Sequence, residues 1–331
     1  EGERVTYGEL EVRVRQAARS LVALGVEPGD RVGILMANCV DFVALMFGAS
    51  MVGAVGVLYN ARFKAREIAH VTVDSGVKVI ITNDITEQHT NYIELLRRAI
   101  PELVHDKNQQ PEPGQTAFVP FESAPQLRVA ISLGSSSEQG FLGREAFYKL
   151  GDSCAPEEVE QRRGKIHVED EALMIYTSGT TAMPKGCPLN HIVLQHAGVV
   201  GGVECMGLQP GDVMWGPLPM FHTAFIQPLT GILHVGGTYL SMTHFDAGAA
   251  LEMIRRESAT LMFPAFPTIT MQLLNHPAYT ASSFAAVRVV LNVGPPEELR
   301  AMQERMPNTV QITVFGMTET GGSAAMCKPG D

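Results

Sequence analysis

Between an apolar strand pattern and a helical one, the chain reads Tyr176-Thr177-Ser178-Gly179-Thr180-Thr181-Ala182-Met183-Pro184-Lys185-Gly186. Four aliphatic hydroxyls, two glycines and a lysine fall within this span, combining side-chain donors, open backbone N–H groups and a cation. A polyphosphate needs that set: short donors, close backbone approach and positive charge. The spacing is not that of a Walker loop, because Lys185 precedes its glycine and no Lys-Ser/Thr pair follows. A solvated Ser/Thr/Gly surface loop has the same composition, so the residues alone leave both readings open.

Three further segments place reactive groups at strand ends. Pro219-Met220-Phe221-His222 ends in an imidazole, which as a lone histidine is also an ordinary structural hydrogen-bonder. Gly294-Pro295-Pro296 follows a Val-rich strand, and a plain turn with Pro296 opening a helix explains it equally well. Phe315-Gly316-Met317-Thr318-Glu319-Thr320 combines an aromatic face, a hydroxyl and a carboxylate, although a Thr-Glu pair after a strand is also how a helix is capped.

Taken in order, these segments resemble the adenylate-forming superfamily: acyl-CoA synthetases, aryl-CoA ligases, luciferases and peptide-synthetase adenylation domains. The likeness is greatest to the N-terminal domain of a bacterial acyl-CoA synthetase of the fatty-acid–CoA ligase kind. The family loop Y-T-S-G-T-T-G-x-P-K-G is matched at 176–186 except at Ala182, where the usual residue is glycine. Phe315 to Glu319 is similar to Y-G-x-T-E, Gly294-Pro295-Pro296 to G-A-P, and Pro219 to His222 to P-x-F-H. The resemblance extends from the helix after Thr6 to Gly322.

It implies that Thr177, Ser178, Gly179, Thr180, Thr181 and Lys185 hold the β- and γ-phosphates of ATP, with Thr318 also on phosphate. Phe315 would stack on adenine beside Gly294, Pro295, Pro296, Gly316 and Met317, and Glu319 would hold Mg²⁺. His222, with Phe221 and Ile226, would border the acyl group. Pocket candidates are His222, Phe225, Ile226, Val293, Met317 and Gly321, a small or apolar set that permits many acids. The implied chemistry joins a carboxylate to the α-phosphorus of ATP, expels pyrophosphate, and passes the acyl group to the thiol of CoA. A carboxylate is already ionised at neutral pH, so no general base is needed; positioning and charge neutralisation supply the rate.

Two alternatives stand beside this reading. One is a ligase that loads a carrier protein or adenylates an amino acid. The stretch Phe221–Ile226 lacks the acid that would hold an α-amine, which favours a simple acyl or aryl acid. The other is a non-catalytic nucleotide-binding scaffold, to which Ala182, Pro295 and Phe315 give weight.

The elements that must position these groups follow from periodicity. Thr6-Tyr7-Gly8-Glu9 is a capping box, followed by Leu10, Val14, Ala17, Leu21 and Leu24 at helical spacing up to Gly25. Strands are expected at Arg31–Met36, Gly53–Leu58, Val77–Thr82, Ala172–Thr177, Val213–Leu218, Thr238–Ser241, Leu261–Phe263, Val287–Val293 and Val310–Phe315. Helices are expected near Lys64–Asp74 and Asn190–Met206. Strands alternating with helices give a doubly wound, mostly parallel α/β fold whose ligands gather at the carboxyl ends of the strands. We expect two stacked subdomains, 1–165 and 166–331, the second carrying the phosphate loop and the first an irregular stretch over 101–165 with solvated loops at Gln109–Gly114 and Ser135–Ser137. The resemblance places a ribose-binding Asp, a hinge and a lid domain beyond Gly330-Asp331, so the chain reads as an N-terminal portion with poor turnover alone.

Length and charge bound the rest. The 331 residues, 45% apolar, suffice for a large core. A net charge of −10 argues against a general nucleic-acid binder without forbidding a local anion site. Five scattered cysteines, without C-x-x-C spacing, argue against a disulfide framework and fit a reducing cytoplasm. The uncharged run Phe42–Tyr59 has 18 residues, but its glycines split it into a helix ending near Met51 and a strand, so no membrane span is expected. Oligomeric state is left open, a homodimer being one assembly the sequence allows.

Overall fold

A computed structural model describes residues 2–86, 88–104, 121–177 and 183–328. The expected loop at Gln109–Gly114, residues Ser178–Ala182 and the terminal Gly330-Asp331 lie outside the described residues. The chain divides into two units, Glu1–His191 and Ile192–Asp331.

The first unit is built on a seven-stranded sheet: β1 (Arg31–Leu35), β2 (Val55–Leu58), β3 (Val77–Thr82), β4 (Val129–Ser132), β5 (Leu142–Gly143), β6 (Glu171–Thr177) and β7 (Lys185–Asn190). Its order is β5-β4-β3-β1-β2-β6-β7. All neighbours are parallel except β6 and β7, which form an antiparallel pair. The four residues of β2 and of β4 are all buried, the signature of strands covered on both faces. The capping box forms as expected: Thr6 N–H donates to Glu9 Oε2 at 2.8 Å and Glu9 N–H to Thr6 Oγ1 at 3.2 Å, starting helix Tyr7–Ala23. The uncharged run becomes helix Val40–Met51 followed by β2. Among the described residues no helix is long and apolar enough to cross a membrane.

The division differs from the expected 165/166. Strand β6 pairs in parallel with β2, Gly56 opposite Leu173 and Leu58 opposite Ile175. Residues 166–191 therefore complete the first sheet, and the segment around Lys185 belongs to the first unit, not the second. The stretch 121–163 is also less irregular than its composition suggests, because it supplies β4, β5 and helices Arg144–Leu150 and Pro156–Arg163.

The second unit holds a parallel five-stranded sheet of β8 (Val213–Trp215), β9 (Thr238–Leu240), β10 (Leu261–Ala265), β11 (Val289–Asn292) and β12 (Val310–Ile312), ordered β12-β11-β10-β8-β9. Trp215, Met262 and Val290 enter one core cluster, while their neighbours Met214, Leu261 and Leu291 enter another. Alternate side chains thus feed separate cores, one on each face of the sheet, as in a doubly wound fold. The hairpin β13 (Val314–Met317) and β14 (Gly322–Met326) follows. Several strands are shorter than expected, and Val310–Phe315 divides between β12 and β13.

The expected helix over Asn190–Met206 is α-helical only for His191–Val199 and widens to a π-helix over Val200–Cys205. Packing is close along this stretch: a Cβ at Gly198 would overlap Thr230, and one at Gly202 would lie 2.7 Å from Leu208. The glycines let this helix approach helix Thr223–His234 closely.

Candidate functional site

In the first unit, β6 and β7 bring Thr177 and Lys185 directly opposite one another at the open end of their antiparallel pair. The two residues bracketing 178–184 are thereby fixed by main-chain pairing. Lys185 is exposed and makes no ion pair among the described residues, so its charge is available to an anion. Ser178, Gly179, Thr180 and Thr181, and the variant position Ala182, lie outside the described residues.

The flanks of this segment rest on helix Ala65–Ser75. His70 Nε2 donates to the carbonyl of Pro184 at 2.9 Å, and Tyr176 Oη donates to Asp74 Oδ2 at 2.6 Å. Burial and then the adjacent Asp74 carboxylate push the Tyr176 phenol well above its ordinary value, keeping it a neutral donor. The rings of His70 and Tyr176 meet edge to face, with centroids 6.4 Å apart. A Cβ at Gly186 would lie 3.1 Å from Met174 Sδ and from the Tyr176 ring, so the strand passes close over the tyrosine. Sequence reasoning missed His70 and Asp74. Their i, i+4 spacing places both on one helix face, but nothing local says which loop that face meets.

In the second unit, His222 is the residue before helix Thr223–His234, and its carbonyl accepts from Phe225 and Ile226 N–H. Its ring lies 4.5 Å from that of Phe221 between centroids. Phe221, Phe225 and Ile226 are all buried, whereas Val293 and Met317 of the expected pocket set are exposed. Gly294 and Pro295 form a strand-to-helix turn, and Pro296 opens helix Pro296–Arg305. A Cβ at Gly294 would come 2.7 Å from Pro267 Cγ, which brings this turn against the end of β10. There Ala265 has a φ of +56°, unusual for a residue with a side chain, and Phe266 is exposed beside it. Neither feature is legible in the local residue pattern.

Hairpin β13–β14 presents the remaining residues. Phe315 is 68% exposed, an open aromatic face that can stack on a planar ring. Gly316 is required: a Cβ would lie 1.7 Å from the Gly322 carbonyl oxygen. Thr318, Glu319 and Thr320 form the turn, closed by Gly321 N–H to Thr318 O at 2.9 Å, with Thr320 Oγ1 bonded to the Met317 and Gly322 carbonyls at 2.9 Å each. Gly321, also in the expected pocket set, takes φ +72° against Val193. Glu319 is exposed at the head of this turn. Among the described residues no cluster of three His, Cys, Asp or Glu side chains gathers to cage a metal. A single hard carboxylate is the donor set Mg²⁺ takes when substrate phosphates complete its shell.

Two cavities among the described residues lie elsewhere. One, of about 510 Å³, is bordered by Tyr7, Leu10, Val14, Phe47, Met51 and His191 among others; the second, of about 540 Å³, lies beside Thr268, Met271 and His276.

Comparison with known proteins gives this arrangement its context. A 4-coumarate–CoA ligase of Arabidopsis thaliana is 29% identical over 332 residues, covering 98% of this chain and 53% of that protein. A mitochondrial medium-chain acyl-CoA ligase of Rattus norvegicus is 26% identical over 337 residues, covering 99% and 53%. Among solved structures, the N-terminal domain of FACL13 from Mycobacterium tuberculosis superposes with a TM-score of 0.74 at 25% identity, covering 99% of this chain and 72% of that one. The chain spans about half the length of the curated relatives it matches. The family model described as AMP-binding enzyme matches residues 1–331, and the chain belongs to that family.

Proposed function

We propose that the protein bearing this chain activates a carboxylic acid with ATP, forming an acyl-adenylate with release of pyrophosphate, and then passes the acyl group to the thiol of CoA. The observation that carries this reading is the β6–β7 register, which sets Lys185, a cation without an ion pair among the described residues, opposite Thr177 at the ends of the hydroxyl-rich segment. Membership of the AMP-binding family and the CoA-ligase names of the relatives support it.

In this reading Thr177 through Thr181 and Lys185 neutralise the β- and γ-phosphates, so that pyrophosphate leaves against fixed donors. Thr318 contributes a further phosphate contact. Phe315 offers its exposed face to adenine, with Gly294, Pro295, Pro296, Gly316 and Met317 beside it. Glu319 is the residue that would hold Mg²⁺, whose charge offsets that of the phosphates. His222 borders the acid, and the apolar stretch Phe221–Ile226 favours an acyl or aryl acid without an α-amine. The carboxylate attacks already ionised, so orientation replaces base catalysis.

Exchange of labelled pyrophosphate into ATP tests the reading. Full-length protein with Mg-ATP and a panel of short, medium, long, aromatic and sterol-derived acids should show acid-dependent exchange. Added CoA should then yield a thioester. Silence with every acid would favour a nucleotide-binding scaffold, and transfer to a carrier protein but not to CoA would favour the carrier-loading alternative.

A further inference from the structure

Helix Thr223–His234, which begins directly after His222, and hairpin β13–β14, which carries Thr318 and Glu319, meet through one side chain. Gln227 lies about one turn into that helix and is only 5% exposed. Ser323 Oγ, on β14, donates to Gln227 Oε1 at 2.8 Å. Backbone has been cleared for the amide on two sides. A Cβ at Gly201, in the π-helix, would lie 2.6 Å from Gln227 Nε2, and a Cβ at Gly322 would lie 2.7 Å from Oε1.

The position of Ser323 gives this contact its leverage. It sits opposite Gly316 in the hairpin, one step from the Met317–Gly322 pair that closes the turn. Gly321 and Gly322, with φ of +72° and +122°, occupy conformations that side chains resist, so the closure of this turn depends on glycine at both positions. Held at Ser323, the turn is anchored to a helix packed into the core through Phe225, Ile226, Leu229 and Ile232, all buried.

We propose that Gln227 is a positioning residue, which fixes the turn bearing Thr318 and Glu319 relative to the helix that starts at His222. It thereby couples the phosphate side of the reaction to the acid side. The roles of the two ends rest on the function proposed above; the mechanical claim does not.

The test uses full-length protein with Gln227→Leu, Gln227→Glu and Ser323→Ala. Leucine keeps the volume and removes the acceptor, while glutamate keeps an acceptor for Ser323. In Gln227→Leu, kcat for pyrophosphate exchange falls about tenfold and KM for ATP rises, with KM for the acid within about twofold, as expected for one lost buried bond acting on the turn alone. Gln227→Glu restores exchange to within about threefold of wild type by the same bond. A second readout needs no turnover. Amide hydrogen exchange over 313–327 quickens about tenfold in Gln227→Leu and Ser323→Ala, while 223–234 is unchanged.

Wild-type kinetics in Gln227→Leu would overturn the proposal. So would faster exchange throughout the second unit, or a glutamate variant as impaired as leucine. If wild-type protein activates no acid, the proposed function fails, and the hydrogen-exchange comparison still decides whether Gln227 holds the turn.

Discussion

The imidazole of His70 hydrogen-bonds the carbonyl of Pro184 at 2.9 Å across 114 residues of chain, so a helix early in the first unit holds the segment that ends in Lys185. Replacing His70 by Ala removes a bond worth about 1 kcal/mol net. We expect KM for ATP to rise about fivefold in pyrophosphate exchange, with kcat changing less. His70→Gln, which can still donate, should recover most of the loss. An ATP saturation curve identical to wild type in His70→Ala would mean that the segment is set without it.

Lys185 should separate activity from stability. It is exposed and without an ion pair among the described residues, so Lys185→Met should leave the melting temperature within about 2 °C. Exchange should drop about a hundredfold or more, the scale of removing a preorganised charge from a reacting phosphate. A variant that loses stability but keeps exchange would remove Lys185 from the phosphate site.

Gly316→Ala should do the reverse and damage structure first. Its new methyl would collide with the Gly322 carbonyl oxygen and part β13 from β14. We expect a cost of about 2 kcal/mol, within the usual range for overpacking, read from urea denaturation. Phe315 fluorescence is too weak to follow this, so hydrogen exchange over the hairpin is the second measurement. Unchanged protection there would show that the hairpin accommodates the methyl.

His191 should give the stability of the first unit an acid limb. Its Nε2 is buried without a hydrogen-bond partner among the described residues, and burial pushes the imidazole below its ordinary value against the opposing pull of Asp170. The unfolded ring takes up its proton near pH 6.5. Below that pH, and until the folded ring also protonates, the unfolded state carries the extra proton, so stability falls as the solution is acidified. His191→Gln should flatten this limb between about pH 7 and 5. Urea midpoints measured at several pH values would show it, and parallel curves for the two proteins would assign the limb to another group.

What could be foreseen divides along sequence distance. The Thr6–Glu9 capping box, the break of the uncharged run near Met51 and the strand–helix alternation are properties of neighbouring residues, and the structure has them. The boundary at His191 was not legible, because it depends on β6 choosing β2 as partner, a pairing between segments more than a hundred residues apart. The π-helix at Val200 was hidden for a related reason: the glycines along this stretch pack against Thr230, Gln227 and Leu208, outside the helix itself, while the local pattern reads as a regular helix. The proposed site follows the same rule. Lys185, Phe315 and Glu319 stand in motifs and could be picked out by type and order. His70, Asp74, Gln227 and Ser323, which hold the flanks of those motifs, are ordinary polar residues until the fold brings them into contact.

The pairing of Thr177 with Lys185 also makes the length of segment 178–184 part of its chemistry. Successive residues of a strand face opposite ways. A deletion that the connection does not absorb would leave β7 two choices: slide by one position along β6, which turns every β7 side chain to the other face, or keep its register and give up the pair at its mouth. Side-chain exchanges within 178–184 leave that ruler intact, and insertions or deletions do not. Among related sequences, selection on this segment should therefore be visible as constancy of spacing even where the residues themselves vary, and loop grafts between relatives should succeed only when the residue count is matched.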